Sequence, residues 1–186
     1  SLLAGDLGSL TSPNESAVFL GAAIDTTNGG TVPAGANVTI KSRLQDLGTS
    51  SIELNASINA GTSGSVLLDS FASLVEGGRI NQTGGVITAL NLTAVALEEI
   101  NLAQNNVITG DVNLGSNLGA GTGGFINFKN IAASFNLGGA AAKGNVTITT
   151  GGLMSSDGAI QSTTGNVSST TAGDMSFGDD VSAAGS

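Results

Sequence analysis

Cysteine, histidine, tryptophan and tyrosine are all missing from this 186-residue chain. Without cysteine there is neither a disulfide framework nor a thiolate metal site. Without histidine, general acid–base chemistry near neutral pH loses its usual carrier. Without tryptophan or tyrosine, the platforms that commonly stack on sugar rings are absent. Charge is scarce too. Charged residues make up 10%, against about 25% in an average soluble domain. Only Lys41, Arg43, Arg79, Lys129 and Lys143 are basic, they are scattered, and the net charge is −9. That balance argues against phosphate neutralisation on nucleic acid and against adhesion to an anionic membrane surface. Two prolines and the lack of a G-X-Y period exclude collagen. No apolar run approaches the roughly 18–20 residues of a transmembrane helix. Ser1–Leu10 has no basic n-region, so the chain reads as a mature or excised piece.

What is there is a beat of about seven residues, carried by apolar dyads and triads with Gly, Asn or Ser between them. Val38, Ile52, Val66 and Ile80 stand 14 apart, and Val146, Leu153, Ile160 and Val167 stand 7 apart. Leu10, Val32, Leu74, Val86, Val107, Leu118, Ile131, Met175 and Val181 continue the series. A strand of four or five residues plus a tight corner, repeated without a break, has one simple solution, a solenoid. Three elements give a rung of roughly 20–21 residues. Gly144-Asn145-Val146 and Gly165-Asn166-Val167 display that spacing directly. The expectation is an all-β chain of about nine rungs, about 40 Å long at the strand spacing of ~4.8 Å.

Within each element the pattern reads in–out–in, as in Val38-Thr39-Ile40, Ile52-Glu53-Leu54, Val112-Asn113-Leu114 and Val146-Thr147-Ile148. Asn28-Gly29-Gly30, Gly77-Gly78, Gly84-Gly85 and Gly151-Gly152 read as corners that use positive φ. Pro13 and Pro33 sit where a missing N–H is tolerable. Ala94–Glu99 has good helix propensity, yet Leu90/Leu92 and Ile100/Leu102 keep the strand alternation, which is preferred. The six phenylalanines fall at element positions and are expected inside. No boundary divides the chain, so residues 1–186 read as a single solenoid domain.

The segments Gly78-Arg79-Ile80-Asn81-Gln82-Thr83-Gly84-Gly85-Val86-Ile87-Thr88-Ala89-Leu90-Asn91-Leu92-Thr93 and Gly144-Asn145-Val146-Thr147-Ile148-Thr149-Thr150-Gly151-Gly152 resemble recurrent phrases of filamentous-haemagglutinin-like proteins. Asp157-Gly158-Ala159-Ile160 continues the second phrase. The resemblance implies a right-handed parallel β-helix and a large bacterial exoprotein. Many members are exported through a partner β-barrel, and many are adhesins. The amino-terminal secretion domain of that family is not recognisable in this sequence.

Chemistry-bearing groupings are few. Asp157 and Asp179-Asp180 lie about one rung apart, and Asp174 lies near, as a carboxylate cluster for glycoside hydrolysis would require. Asp174, Asp179 and Asp180 are the candidate calcium ligands, set against polar corner residues as the plainer reading. Calcium β-roll, EF-hand, P-loop and dinucleotide fingerprints are missing. Asn14, Asn37, Asn55, Asn81, Asn91, Asn145 and Asn166 each begin an Asn-x-Ser/Thr triplet. They read as strand-start asparagines that bond one rung away. The sequence-level expectation is a non-enzymatic structural protein of the extracellular space or bacterial cell surface, without cofactor. It would be an adhesin shaft or a filament subunit that self-associates end to end or continues into more solenoid. A host or surface receptor or glycan is the further partner class. The alternatives are a polysaccharide-processing β-helix enzyme and a carbohydrate- or surface-binding module.

Overall fold

A computed structural model describes residues 2–4, 15–27, 35–44, 49–72, 78–116 and 124–184. Pro13, Pro33, Asn14, Gly77, the corner at Asn28-Gly29-Gly30 and the anchors Leu10, Val32, Leu74 and Leu118 lie outside the described residues.

Twenty strands, and no helix, occur among the described residues. The first nine are Leu2–Ala4 (β1), Glu15–Leu20 (β2), Ile24–Asp25 (β3), Val38–Leu44 (β4), Thr49–Leu54 (β5), Ile58–Asn59 (β6), Ser65–Ala72 (β7), Gly78–Gln82 (β8) and Ile87–Ala89 (β9). Next come Asn91–Ala96 (β10), Glu99–Ile108 (β11), Asp111–Ser116 (β12), Ile126–Asn130 (β13) and Ser134–Ala142 (β14). The last six are Val146–Thr150 (β15), Leu153–Ser156 (β16), Ile160–Ser162 (β17), Val167–Thr171 (β18), Met175–Phe177 (β19) and Val181–Ala183 (β20). Every pairing is parallel. Ala94–Glu99, where a helix competed, is strand except for its Leu97-Glu98 corner.

The strands form two sheets of ten. One has the order β1-β4-β7-β10-β12-β14-β16-β19, with β17 also beside β14 and β20 beside β17. The other runs β18-β15-β13-β11-β8-β5-β2, with β3, β6 and β9 leading onto β11. The chain visits the sheets in turn and pairs each strand with one laid down a circuit earlier.

Circuit length is uniform only toward the C-terminal side. Val146 pairs with Val167, Met154 with Met175, and Ile160 with Val181, each 21 residues on. Earlier, Val38 pairs with Val66 (28 on) and Val66 with Leu92 (26 on). Ile24 pairs with Ile58, 34 on. A constant rung of 20–21 residues therefore fails in the first half. There the chain spends five to thirteen more residues on each circuit than the later 21. Among the described residues the first sheet's main path holds eight strands, against the nine or so rungs expected. Seven steps at the strand spacing give about 34 Å.

The core is built in columns. Ile52, Ile80, Ile100, Ile126 and Val146 stack in register, each 0–1% exposed. Burying each such side chain contributes about 1.5–3 kcal/mol. All four in–out–in triplets hold, with Thr39, Glu53, Asn113 and Thr147 facing outward. Four anchors of the beat are off by one. Ile87, Ile108, Ala132 and Met154 are buried, whereas Ile131 and Leu153 are exposed and Val86 and Val107 only half-buried. A one-residue slip in a strand sends the whole set to the other face. In these dyads the corner backbone chooses which apolar residue enters. Phe128 and Phe135 meet edge to face in the core, ring centroids 6.1 Å apart. Phe19 and Phe177, expected inside, are exposed, since they fall on outward or end positions.

Among the described glycines, positive φ is confined to Gly61, Gly85 and Gly139. Gly85, at +66°, is the positive-φ corner expected. Gly152 serves close approach instead: a Cβ there would lie 2.2 Å from the Ala133 carbonyl oxygen.

Candidate functional site

The polar side chains of this chain are organised as ladders that climb from circuit to circuit. On the outer face of the second sheet, register places Glu53, Asn81, Asn101 and Asn127 in one column. Asn127 Nδ2 donates to Asn101 Oδ1 at 3.1 Å, and Asn101 Nδ2 donates to Asn81 Oδ1 at 3.0 Å. Asn81 Nδ2 in turn donates to the Glu53 carboxylate at 3.0 Å. Beside this column, Arg79 Nε donates to Glu98 Oε2 at 2.7 Å and lies 3.8 Å from Glu99. The Glu98 hydrogen bond, aided by the charges of Glu98, Glu99 and Glu53, raises the Arg79 pKa above its ordinary value. An exposed pair of this kind adds little stability.

A second ladder marks the strand starts of the first sheet. Asn37 Oδ1 accepts from the Ser65 N–H, and Asn91 Oδ1 accepts from the Asp111 N–H, both at 2.9 Å. Asn145 Oδ1 accepts likewise from the Asn166 N–H in the second sheet. The Asn-x-Ser/Thr positions Asn37, Asn81, Asn91 and Asn145 thus use their amides between circuits. The usual bond, however, is from a backbone N–H to the amide oxygen, and amide-to-amide bonding belongs to the outward column instead.

The inner corner after the second sheet holds a third ladder. Gln82, Asn106, Asn130 and Thr150 point inward and are buried. Asn106 exchanges two bonds with Gln82, at 2.9 and 3.1 Å, and accepts from the Ile87 N–H. Asn130 exchanges two bonds with the backbone of Ile108, both at 2.9 Å. These side chains satisfy corner backbone groups that sheet pairing cannot reach.

The carboxylates singled out from sequence are at two corners. Asp157 lies between β16 and β17, and Asp179-Asp180 lie between β19 and β20, one circuit on. Asp174 is at a different corner, between β18 and β19. All four are exposed. Asp179 Oδ1 accepts from the Asp180 N–H, a local turn bond. Among the described residues no three acidic side chains form a group that could hold a metal ion.

The structure pairs Asp157 with Asp111 instead, a residue that sequence spacing did not single out. Asn136 lies between them and its Nδ2 donates to Asp111 Oδ1 at 3.1 Å and to Asp157 Oδ1 at 2.9 Å. Those two oxygens are therefore at most 6.0 Å apart. Ser155 Oγ donates to Asn136 Oδ1 at 3.2 Å. Paired carboxylates of glycosidases stand about 5–9.5 Å apart. Here an amide donor fills the space between them, and both oxygens act as acceptors. Along the same sheet face runs a shallow, mostly apolar groove of about 300 Å³. Thr93, Val95, Asn113 and Gln161 edge it, and Gly115 and Gly139 leave its floor bare.

Near the N-terminal side, Asp25 accepts from the Thr27 hydroxyl at 2.6 Å and the Thr27 N–H at 2.8 Å. These bonds, with a lesser one from Asn59, hold its carboxyl below the ordinary 3.8.

No protein-family model matches this chain, and comparison with curated proteins and with solved structures gives no match.

Proposed function

We propose that the chain is a right-handed parallel β-helix of the filamentous-haemagglutinin-like kind. In this reading it is a non-enzymatic structural element on the outside of a bacterial cell, an adhesin shaft or a filament subunit. The observation that carries the reading is the use of the polar surface. The outward and corner amides described above are spent on bonds between circuits. A rod stabilised along its own axis is what such ladders build. In the first sheet β19 and β20, and in the second β18, each pair on one side only among the described strands. An edge of that kind accepts a further strand, whether of the same chain or of another copy.

Electron microscopy with small-angle scattering of the purified protein tests the proposal. Rods, single or joined end to end with an axial period near ~34 Å, are the expected result. A spherical particle would refute it. The polysaccharide reading draws on one observation, the Asp111–Asp157 pair beside the groove. It requires release of new reducing ends from a polysaccharide, abolished by Asp111→Asn and Asp157→Asn separately.

A further inference from the structure

We infer that Asp157-Gly158 is a site of spontaneous backbone isomerisation, through which the folded protein acquires an isoaspartate at one corner. Asp157 is the one aspartate in the chain followed by glycine. Glycine carries no Cβ to shield its nitrogen from the preceding side chain. The corner keeps this pair open. Asp157 is exposed, and among the described residues no hydrogen bond holds the Gly158 N–H. Among the described residues, what restrains the carboxyl is the bond from Asn136 Nδ2 at 2.9 Å. The neighbouring corner differs. Asp179 has its carboxylate engaged by the Asp180 N–H, the very nitrogen that would have to attack.

The chemistry needs only water. The Gly158 nitrogen attacks Cγ of the protonated Asp157 side chain, and a new N–Cγ bond closes a five-membered succinimide. The nitrogen's proton and a carboxyl oxygen with its hydrogen leave as one water. A second water then opens the ring. Attack at Cγ restores aspartate. Attack at the main-chain carbonyl breaks its bond to nitrogen and leaves the backbone running through Cβ and Cγ. The net change is an isomerisation, with one water lost and one regained.

The corner is a poor host for the longer backbone. Ser156 Oγ donates to the Gly158 carbonyl at 2.7 Å. Gly158 packs so closely on Gly138 that a Cβ would lie 1.8 Å from the Gly138 oxygen. An added methylene cannot preserve both fits. Conversion therefore loosens the pairing of β16 and β17 with their neighbours.

Prolonged incubation of the folded protein, followed by electron-transfer fragmentation mass spectrometry, reads the isoaspartate residue by residue. The expected result is accumulation at position 157 above every other aspartate. Asn136→Ala should speed it by freeing the carboxyl. Asp157→Glu should abolish it, because the larger ring forms far more slowly. Asp157→Asn should proceed through the same ring with the mass change of deamidation. Limited proteolysis of aged wild type should show new cleavage near 157. Isoaspartate at 157 no higher than at Asp69 or Asp174 would overturn the inference. So would a folded chain that stays unmodified while the urea-unfolded chain converts, since the corner would then keep nitrogen and carboxyl apart.

Discussion

Replacing Asn106 by leucine tests the buried corner ladder most directly. Asn106 is fully buried. Its oxygen accepts from Gln82 Nε2 at 2.9 Å and from the Ile87 N–H at 3.0 Å. Its nitrogen donates to Gln82 Oε1 and the Leu102 carbonyl, both at 3.1 Å, and to the Lys129 carbonyl at 3.2 Å. Leucine keeps the branched skeleton of four side-chain heavy atoms, in a bulkier form, and has none of these polar atoms. Gln82 Nε2 keeps its bond to the Gly85 carbonyl. Gln82 Oε1 and the Ile87 N–H lose the partner described. Each buried orphan costs about 1–3 kcal/mol, so Asn106→Leu should destabilise by about 4 kcal/mol. Urea unfolding followed by far-UV circular dichroism measures this. Hydrogen exchange should localise the loss to the circuits of β8, β11 and β13. The double variant Gln82→Leu/Asn106→Leu removes the Gln82 Oε1 orphan but also the bond to the Gly85 carbonyl. Because Gly85 is half-exposed, that carbonyl turns to solvent, and the double variant should recover about 1 kcal/mol. An Asn106→Leu protein within about 1 kcal/mol of wild type, or a double variant no more stable than the single, would refute the argument.

The dyad Leu153-Met154 gives a paired test: Met154→Asp buries a charge and should cost more than ~4 kcal/mol, whereas Leu153→Ser should stay within ~0.5 kcal/mol in the same urea assay. Cutting the outer ladder by Asn101→Ala should cost about 1 kcal/mol in thermal or urea unfolding, because solvent replaces the lost partners. Gly152→Val should prevent normal folding or shift the corner, detected as lost protection at β15 and β16, because its Cβ would overlap the Ala133 oxygen. Asp25 should titrate below 3.8 in an NMR pH series. Because its folded pKa is lowered, its contribution is present above the unfolded value and disappears as pH falls through the folded one. Thr27→Val should bring the midpoint back toward the ordinary value.

Strand class, alternation and the 21-residue circuit were legible because each is a local rule repeated many times. Val146, Ile148 and Val167 announce their register without help from the rest of the chain. Less was legible where two apolar residues adjoin. Periodicity cannot separate Ile131 from Ala132 or Leu153 from Met154, and the choice falls to corner geometry. Circuit length was less legible in the first half, because the beat runs on through the added residues, as at Val32 and Leu74, and does not mark where a circuit closes. The polar sites failed for a related reason. Asp111 and Asp157 lie 46 residues apart in sequence, which is no whole number of regular circuits. Only the register of β12, β14 and β16 brings them to either side of Asn136. The ladder asparagines carried a legible signal at strand starts such as Asn91 and Asn145. Asn106 did not, since an inward asparagine in an apolar strand looks like an outward one slipped by a residue.

The first sheet changes its outline as it is built. Its strand is continuous in β12, bulged between Leu137 and Gly139 in β14, and parted into β16 and β17 thereafter. A stack of identical tiles has a translational degeneracy: any tile can sit on any other, and a growing chain can skip a place unnoticed. Here the tiles are not interchangeable. Up to β12 each strand pairs with an unparted neighbour, β14 makes the change of outline, and β19 and β20 pair with the two parted pieces β16 and β17. The outline therefore works like the cuts of a key, giving the stack a direction and an order. Misregistered assembly by one circuit would leave the bulge of β14 without its counterpart, a local error that the remaining pairing could not hide.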